Sequence, residues 1–220
     1  VQAAVRLFLV FFGFAFVLLG FWMGVTLAGE SRGLAERAAS FTPSDAAAVA
    51  AAAPGTSVLV EGAVSPRNPE RFRDFVAYVR QEFRGADNNG DEKWEVDETI
   101  LPRLLIETGG TVQLANEGYE LAGSHERWRE EGLEWDRRAQ EGTKRYTGLV
   151  AGRPVMVLGV VLAGREANEV VAELVFAGTR DEFVALQQSS AGWLPAAGLA
   201  VGLLGAAVIY LGAWGLRRWR

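Results

Sequence analysis

Two uncharged apolar stretches bracket the chain, and between them the hydrophobic positions shift to a strand-like period of two. From Leu7 to Gly29, "LFLVFFGFAFVLLGFWMGVTLAG", no charged residue occurs, and roughly 20 apolar residues at 1.5 Å each suffice to cross a bilayer core. The pattern predicts a transmembrane helix within residues 1–29. The rival is a cleaved signal peptide cut after "TLA", but the run exceeds the apolar region of such leaders. From Trp193 to Leu216, "WLPAAGLAVGLLGAAVIYLGAWGL" repeats the pattern. Trp193 stands at one edge and Tyr210 and Trp214 near the other, where aromatic side chains suit membrane interfaces. A second transmembrane helix is expected at 193–216, followed by a basic tail at 217–220.

Residues 30–56 are expected to form a helical spacer. In "TPSDAAAVAAAAPG", Thr42 suits the N-cap, Pro43 the first helical position, and Pro54 with Gly55 the stop. From Ser57 the period changes. "SVLVEGAV", "DFVAYVRQEF", "PRLLIET", "TVQL", "PVMVLGVVL" and "EVVAELVFA" are β-rich runs separated by Gly, Asn and Pro turns. They predict a mainly β soluble domain over 57–178, a small antiparallel, OB-like barrel. Gly109 and Gly110 mark a tight hairpin between Leu105 and Leu114.

The charged stretch "SHERWREEGLEWDRRAQEG", Ser124 to Gly142, interrupts these runs. It is expected to be a helical insert across one barrel end, with Trp128, Trp135 and Ala139 near one stripe. Gly132 in its centre costs about 1 kcal/mol against alanine. The two tryptophans either cap the barrel core or form a ligand or partner surface. Thr179 and Glu182 in "TRDEF" make a capping-box pattern. They predict a juxtamembrane helix at 179–192, broken before the membrane by the Ser and Gly residues at 189–192 and by Pro195.

Composition narrows the chemistry. The net charge is −5 and half the residues are apolar, which argues against a dedicated nucleic-acid binder, since phosphate contacts need a basic face. With no cysteine, disulfides, zinc ribbons and thiol catalysis are excluded for these residues. The first residue is valine, which leaves open a literally read start codon or a missing N-terminus. The lone histidine, His125, lies beside Ser124 with no nucleophile spacing around it. No phosphate-binding glycine motif is present, so no catalytic residue and no cofactor are assigned.

The stretch "GADNNGDEKWEVDE" imitates a calcium loop, with Asp87, Asn89, Asp91 and Glu98 as candidate ligands. An EF-hand loop needs glycine at its sixth position, where this chain has Glu92. Asn89-Gly90 instead suits a hairpin joining "FVAYVRQEF" to "KWEVDE", with weak calcium binding as the alternative.

The apolar segments carry small residues four apart: Gly20 and Gly24, then Gly198, Gly202 and Ala206. This spacing permits close helix packing in lipid, within one chain or in a homo-oligomer, although glycine is also simply common in such helices. Arg217, Arg218 and Arg220 in "RRWR" form the strongest basic flank, and such flanks stay cytoplasmic. Both termini are then expected in the cytoplasm, with the middle domain extracytoplasmic.

"VLVEGAVSP" at 58–66, "VAYVRQE" at 76–82, Trp94, "LLIETGGTVQL" at 104–114 and "KRYTGLVAGRPVMVLGVV" at 144–161 stand in the order seen in the GIDE-type domain. The chain thus resembles the membrane-flanked middle part of the mitochondrial E3 ubiquitin ligase family, which also has prokaryotic relatives. The resemblance covers most of residues 40–190. It implies a β-barrel-like domain on the non-cytoplasmic side, between two spans. It does not carry the ligase activity, because the family's RING is built from zinc-binding cysteines and histidine, and these residues include no cysteine. Thr147 and Gly148 also depart from an expected acidic residue. The sequence reads as a two-pass cell-membrane protein with a non-enzymatic binding or scaffolding domain, its partner another membrane or extracytoplasmic protein. The alternatives are a ligase-family-like protein without its own RING and a membrane-bound hydrolase.

Overall fold

The β-rich runs from Ser57 onward close on themselves. A computed structural model of the chain describes residues 2–162 and 168–217, in two units: Phe41–Arg180, and Val1–Ser40 with Asp181–Arg220. In the first unit, β1 (Ser57–Val64), β4 (Leu105–Glu107), β5 (Thr111–Leu114), β11 (Pro154–Val161) and β12 (Glu169–Phe176) form a five-stranded closed barrel. The strand order is β11-β1-β4-β5-β12, and β12 returns to pair with β11. Gly109 and Gly110, at φ 60° and 158°, make the β4–β5 turn that side chains with a Cβ would strain.

Two insertions into the barrel build a second sheet. One, between β1 and β4, contains β2 (Phe75–Ala86) and β3 (Glu92–Ile100). The other, between β5 and β11, contains β6 (Glu120–Ala122), β7 (Glu126–Arg129), β8 (Trp135–Asp136), β9 (Glu141–Gly142) and β10 (Lys144–Val150). β6 extends the barrel sheet beside β12, β8 pairs with β9, and the rest form a four-stranded sheet in the order β3-β2-β10-β7. Val58, Val60, Val64, Ile106, Val112, Leu114, Val155, Val157, Val170 and Val175 fill the core, together with Val76, Ala77 and Leu149 of the second sheet.

Five expectations are corrected. The insert at 124–142 is not helical. "ERWR" instead pairs with β10, from Arg145↔Arg129 to Gly148↔Glu126, and a helix there would leave the β10 edge groups without these partners. Nor is the barrel wholly antiparallel, because β12 runs parallel to β5 and β6. The stretch at 30–56 is not one spacer. Its first part belongs to α2 (Ala28–Ser40), while α3 (Ala46–Ala51) buries Ala46 and Val49 in the barrel core. The cap of α3 is Asp45 rather than Thr42, its carboxylate accepting the Ala48 N–H at 2.8 Å. Finally, α4 (Arg180–Arg217) runs through Pro195 without a break.

In the second unit, α1 (Gln2–Phe21) continues through π-helical turns at Trp22–Leu27 into α2. This helix and α4 are both long and apolar enough to cross a membrane. Glycine lets them meet closely. A Cβ on Gly20 would collide with the Gly198 carbonyl and lie 2.7 Å from the Gly202 nitrogen, and one on Gly198 would lie 2.7 Å from the Gly24 nitrogen. Close packing of this kind, rather than helix propensity, can hold Pro195 within a helix.

Candidate functional site

The two faces of the second sheet differ in kind. On one, the register lines up Trp128, Tyr146, Arg80 and Glu98 across β7, β10, β2 and β3. Phe72, from the β1–β2 connection, stacks on Tyr146 with ring centroids 4.1 Å apart, and Tyr78 meets Tyr146 edge-on at 5.5 Å. Gly148 lies opposite Tyr78, and a Cβ there would be 2.9 Å from the tyrosine Cβ. Arg73 adopts the left-handed φ of 49° and places its guanidinium 4.0 Å over Trp128. Trp128 is therefore a half-buried margin of an aromatic cluster rather than a cap on the barrel core.

The polar end of this row is committed to itself. The Tyr78 hydroxyl donates to Glu98 at 2.8 Å, and Arg80 bonds Asp97 at 2.9 Å and Glu98 at 3.1 Å. Burial, then the Glu98 carboxylate, pushes the Tyr78 pKa up to about 12. The hydrogen bond to Asp97 raises that of Arg80 further above its ordinary value.

Trp135 is held separately. It lies against Gly85 and Gly142, with the Arg84 guanidinium 5.0 Å over its ring. Glu82, nearly buried, pairs with Arg84 at 2.7 Å and accepts the Gly142 N–H at 2.9 Å. The adjacent depression of about 860 Å³ has a mixed charged lining, including Glu134, Arg138 and Lys144. The two tryptophans have different neighbours, so no aromatic contact joins them among the described residues.

The opposite face is open beyond the Ala77–Leu149 pair, which enters the barrel core. One row across it is Arg129, Arg145, Gln81 and Val96, and the next is Arg127, Thr147, Val79 and Thr99. All eight are partly or fully exposed. A depression of about 440 Å³ follows the β7–β10 side and is lined by Gln81, Arg127, Arg129, Arg145 and Thr147, among others.

The calcium candidates are not gathered. Asp87 accepts the N–H groups of Asn89 at 2.8 Å and Asp91 at 2.9 Å, so it braces its own β2–β3 turn, while Glu98 is bound to Tyr78 and Arg80 along the strand. Among the described residues no group of three potential acidic, His or Cys ligands could hold a metal.

His125 has a role its sequence context did not signal. Its Nδ1 accepts the Val150 N–H at 3.1 Å, and its Nε2 lies 2.7 Å from the Pro154 carbonyl, which can only accept. The ring is therefore neutral with its proton on Nε2, and burial lowers its pKa. It ties the start of β7 to the β10–β11 turn.

Of the small residues singled out between helices, Gly20, Gly24, Gly198 and Gly202 lie at the crossing, whereas Ala206 lines an apolar groove beside it. Gly13 and Gly205 make a further close approach that four-residue spacing overlooked. Arg218 and Arg220 of the basic tail lie outside the described residues. Comparison with family models, curated proteins and solved structures finds no match.

Proposed function

We propose that this chain is a two-pass membrane protein whose β domain is a non-enzymatic binding or scaffolding module, extracytoplasmic, with both termini in the cytoplasm. The observation that carries the reading is the asymmetry of the second sheet: one face is sealed by the Phe72–Tyr78–Tyr146 cluster, while the other stays open from Val79 and Thr147 outward. A sheet buried on both faces would belong to the core, whereas an open face on a rigid scaffold is available to a partner. The ionisable groups on the sealed side favour binding over acid–base chemistry. Asp97, Glu98 and Arg80 hold one another, and a tyrosine with a pKa near 12 keeps its proton at neutral pH.

The OB-like assignment draws support from the barrel's topology. In chain order its strands close as first, second, third, fifth, fourth, with the third and fifth parallel. That is a Greek-key barrel in which insertions after the first and third strands modify the surface. The likeness to a GIDE-type domain is in keeping with a barrel between two long apolar helices. The test is site-specific photo-crosslinking in native membranes from Val96 and Thr147 on the open face. Adducts with a protein partner at these sites, and not at Asp181 on α4, are expected. Adducts confined to the helices would overturn the reading.

A further inference from the structure

Arg129 and Arg145 stand directly opposite each other on β7 and β10, with Arg127 at the next position on the same face. Like charges directly opposite in a strand pair destabilise it. Arg127 and Arg129 have no carboxylate partner among the described residues. Arg145 donates to the neutral Gln81 at 2.8 Å and lies 4.1 Å over Trp94. Glu92, at the hairpin end, is the one acid felt by Arg145, and it bonds Trp94 Nε1 at 2.9 Å.

β7 is also a sheet edge, with β10 as its sole neighbour in the sheet among the described residues. Glu130 donates its N–H to the Lys144 carbonyl at 3.0 Å. In an antiparallel ladder this assigns the inward-facing amides to residues 126, 128 and 130, and turns the N–H and C=O of Arg127 and Arg129 toward the open side. The residues with outward backbone groups are thus the two whose side chains carry unneutralised charge. Edges are often protected by charge, but a charge that only repels neighbouring chains does not call for the inner, half-buried Arg145 or for a depression between the strands.

Resting on the binding-module reading, we infer that β7 is a docking edge for an extended acidic segment of a partner protein. The segment adds as a fifth strand against Arg127 and Arg129, and its carboxylates point to Arg127, Arg129 and Arg145. Main-chain hydrogen bonds would supply affinity and the arginines register and sign.

The probe is a fluorescein-labelled peptide alternating glutamate and valine, titrated into the full chain in phosphatidylcholine nanodiscs, with a lysine–valine peptide as control. Binding of the acidic peptide alone is expected, weakening about tenfold or more between 50 and 500 mM salt as exposed charges are screened. Arg127→Gln and Arg145→Gln should each weaken it several-fold. Arg127→Pro removes the same charge as Arg127→Gln and, from the backbone, only an outward N–H, which an edge strand tolerates, yet should weaken binding well beyond Arg127→Gln. Equal effects of proline and glutamine, equal binding of the lysine peptide, or no binding would overturn the proposal. So would preferential binding to phosphatidylglycerol vesicles, which would make the patch a lipid site. Failure here combined with crosslinks from Val96 and Thr147 would leave the module reading intact.

Discussion

The imidazole of His125 and the backbone N–H of Val150 are joined by a 3.1 Å hydrogen bond that exists only while the ring is neutral. Protonation would put a second N–H against the Val150 donor. Burial lowers the pKa of His125, so the unfolded chain binds its proton more readily than the folded one. The resulting stability is full above the unfolded value of about 6.5 and is lost as the pH falls toward the folded value. Urea denaturation at pH 7.5 and at pH 5 should show this loss in the native chain, and His125→Gln should remove that part of the difference. The substitution should itself cost about 1–2 kcal/mol at pH 7.5. An unchanged pH dependence in the variant would show that other groups govern it.

Asn116 fills a gap in the barrel. β12 pairs with β5 at Glu169 and Val170 and with β6 from Leu174 onward, and between them the Asn116 amide accepts the Ala172 N–H at 2.8 Å and donates to its carbonyl at 2.9 Å. Asn116→Ala leaves both groups without these bonds and should cost about 1–3 kcal/mol. The fragment Phe41–Arg180 contains the whole barrel, so it should fold in water without detergent and permit the measurement by denaturation. A loss below about 0.5 kcal/mol would mean that water replaces the amide without penalty.

At the helix crossing, Gly198 and Gly202 should respond differently. A Cβ on Gly198 would collide with the Gly20 carbonyl, whereas one on Gly202 would meet nothing within 4 Å. Spin labels on the exposed Leu18 and Leu203 should report one short distance in the native chain and in Gly202→Ala. Gly198→Leu should lengthen and broaden it. Equal disruption by the two substitutions would contradict this packing.

Topology is testable because the chain lacks native cysteine. Lys and Arg next to a span resist translocation, and "RRWR" outweighs Arg32 and Arg37, which Glu30 and Glu36 accompany. A cysteine replacing Asn89 should react with an impermeant maleimide in intact cells. One replacing Gln2 should stay protected until lysis. The reverse pattern would place the β domain in the cytoplasm.

Residues whose environment is set by near neighbours were legible. The β-branched runs "SVLVEGAV" and "PVMVLGVVL", the Gly109-Gly110 turn and the Asn89-Gly90 hairpin each state their structure within a few residues, and the two apolar runs declare their length to any membrane. The arginine pair was not legible. Arg129 and Arg145 are sixteen positions apart, and "ERWR" becomes a strand only because β10 offers a partner edge. Within the charged insert, the spacing of Trp128, Trp135 and Ala139 suggested a helix. Long-range pairing also decided that β12 closes the barrel in parallel with β5, that Ala46 and Val49 belong to the core, and that Gly13 meets Gly205. Local sequence determined the long apolar helices, the Gly109-Gly110 and Asn89-Gly90 turns and the strands richest in β-branched residues, because propensity and periodicity act over a turn or a pleat. Tertiary structure alone decided which strand edge stays open and which charges face one another, because those depend on which distant segments compete for the same hydrogen bonds.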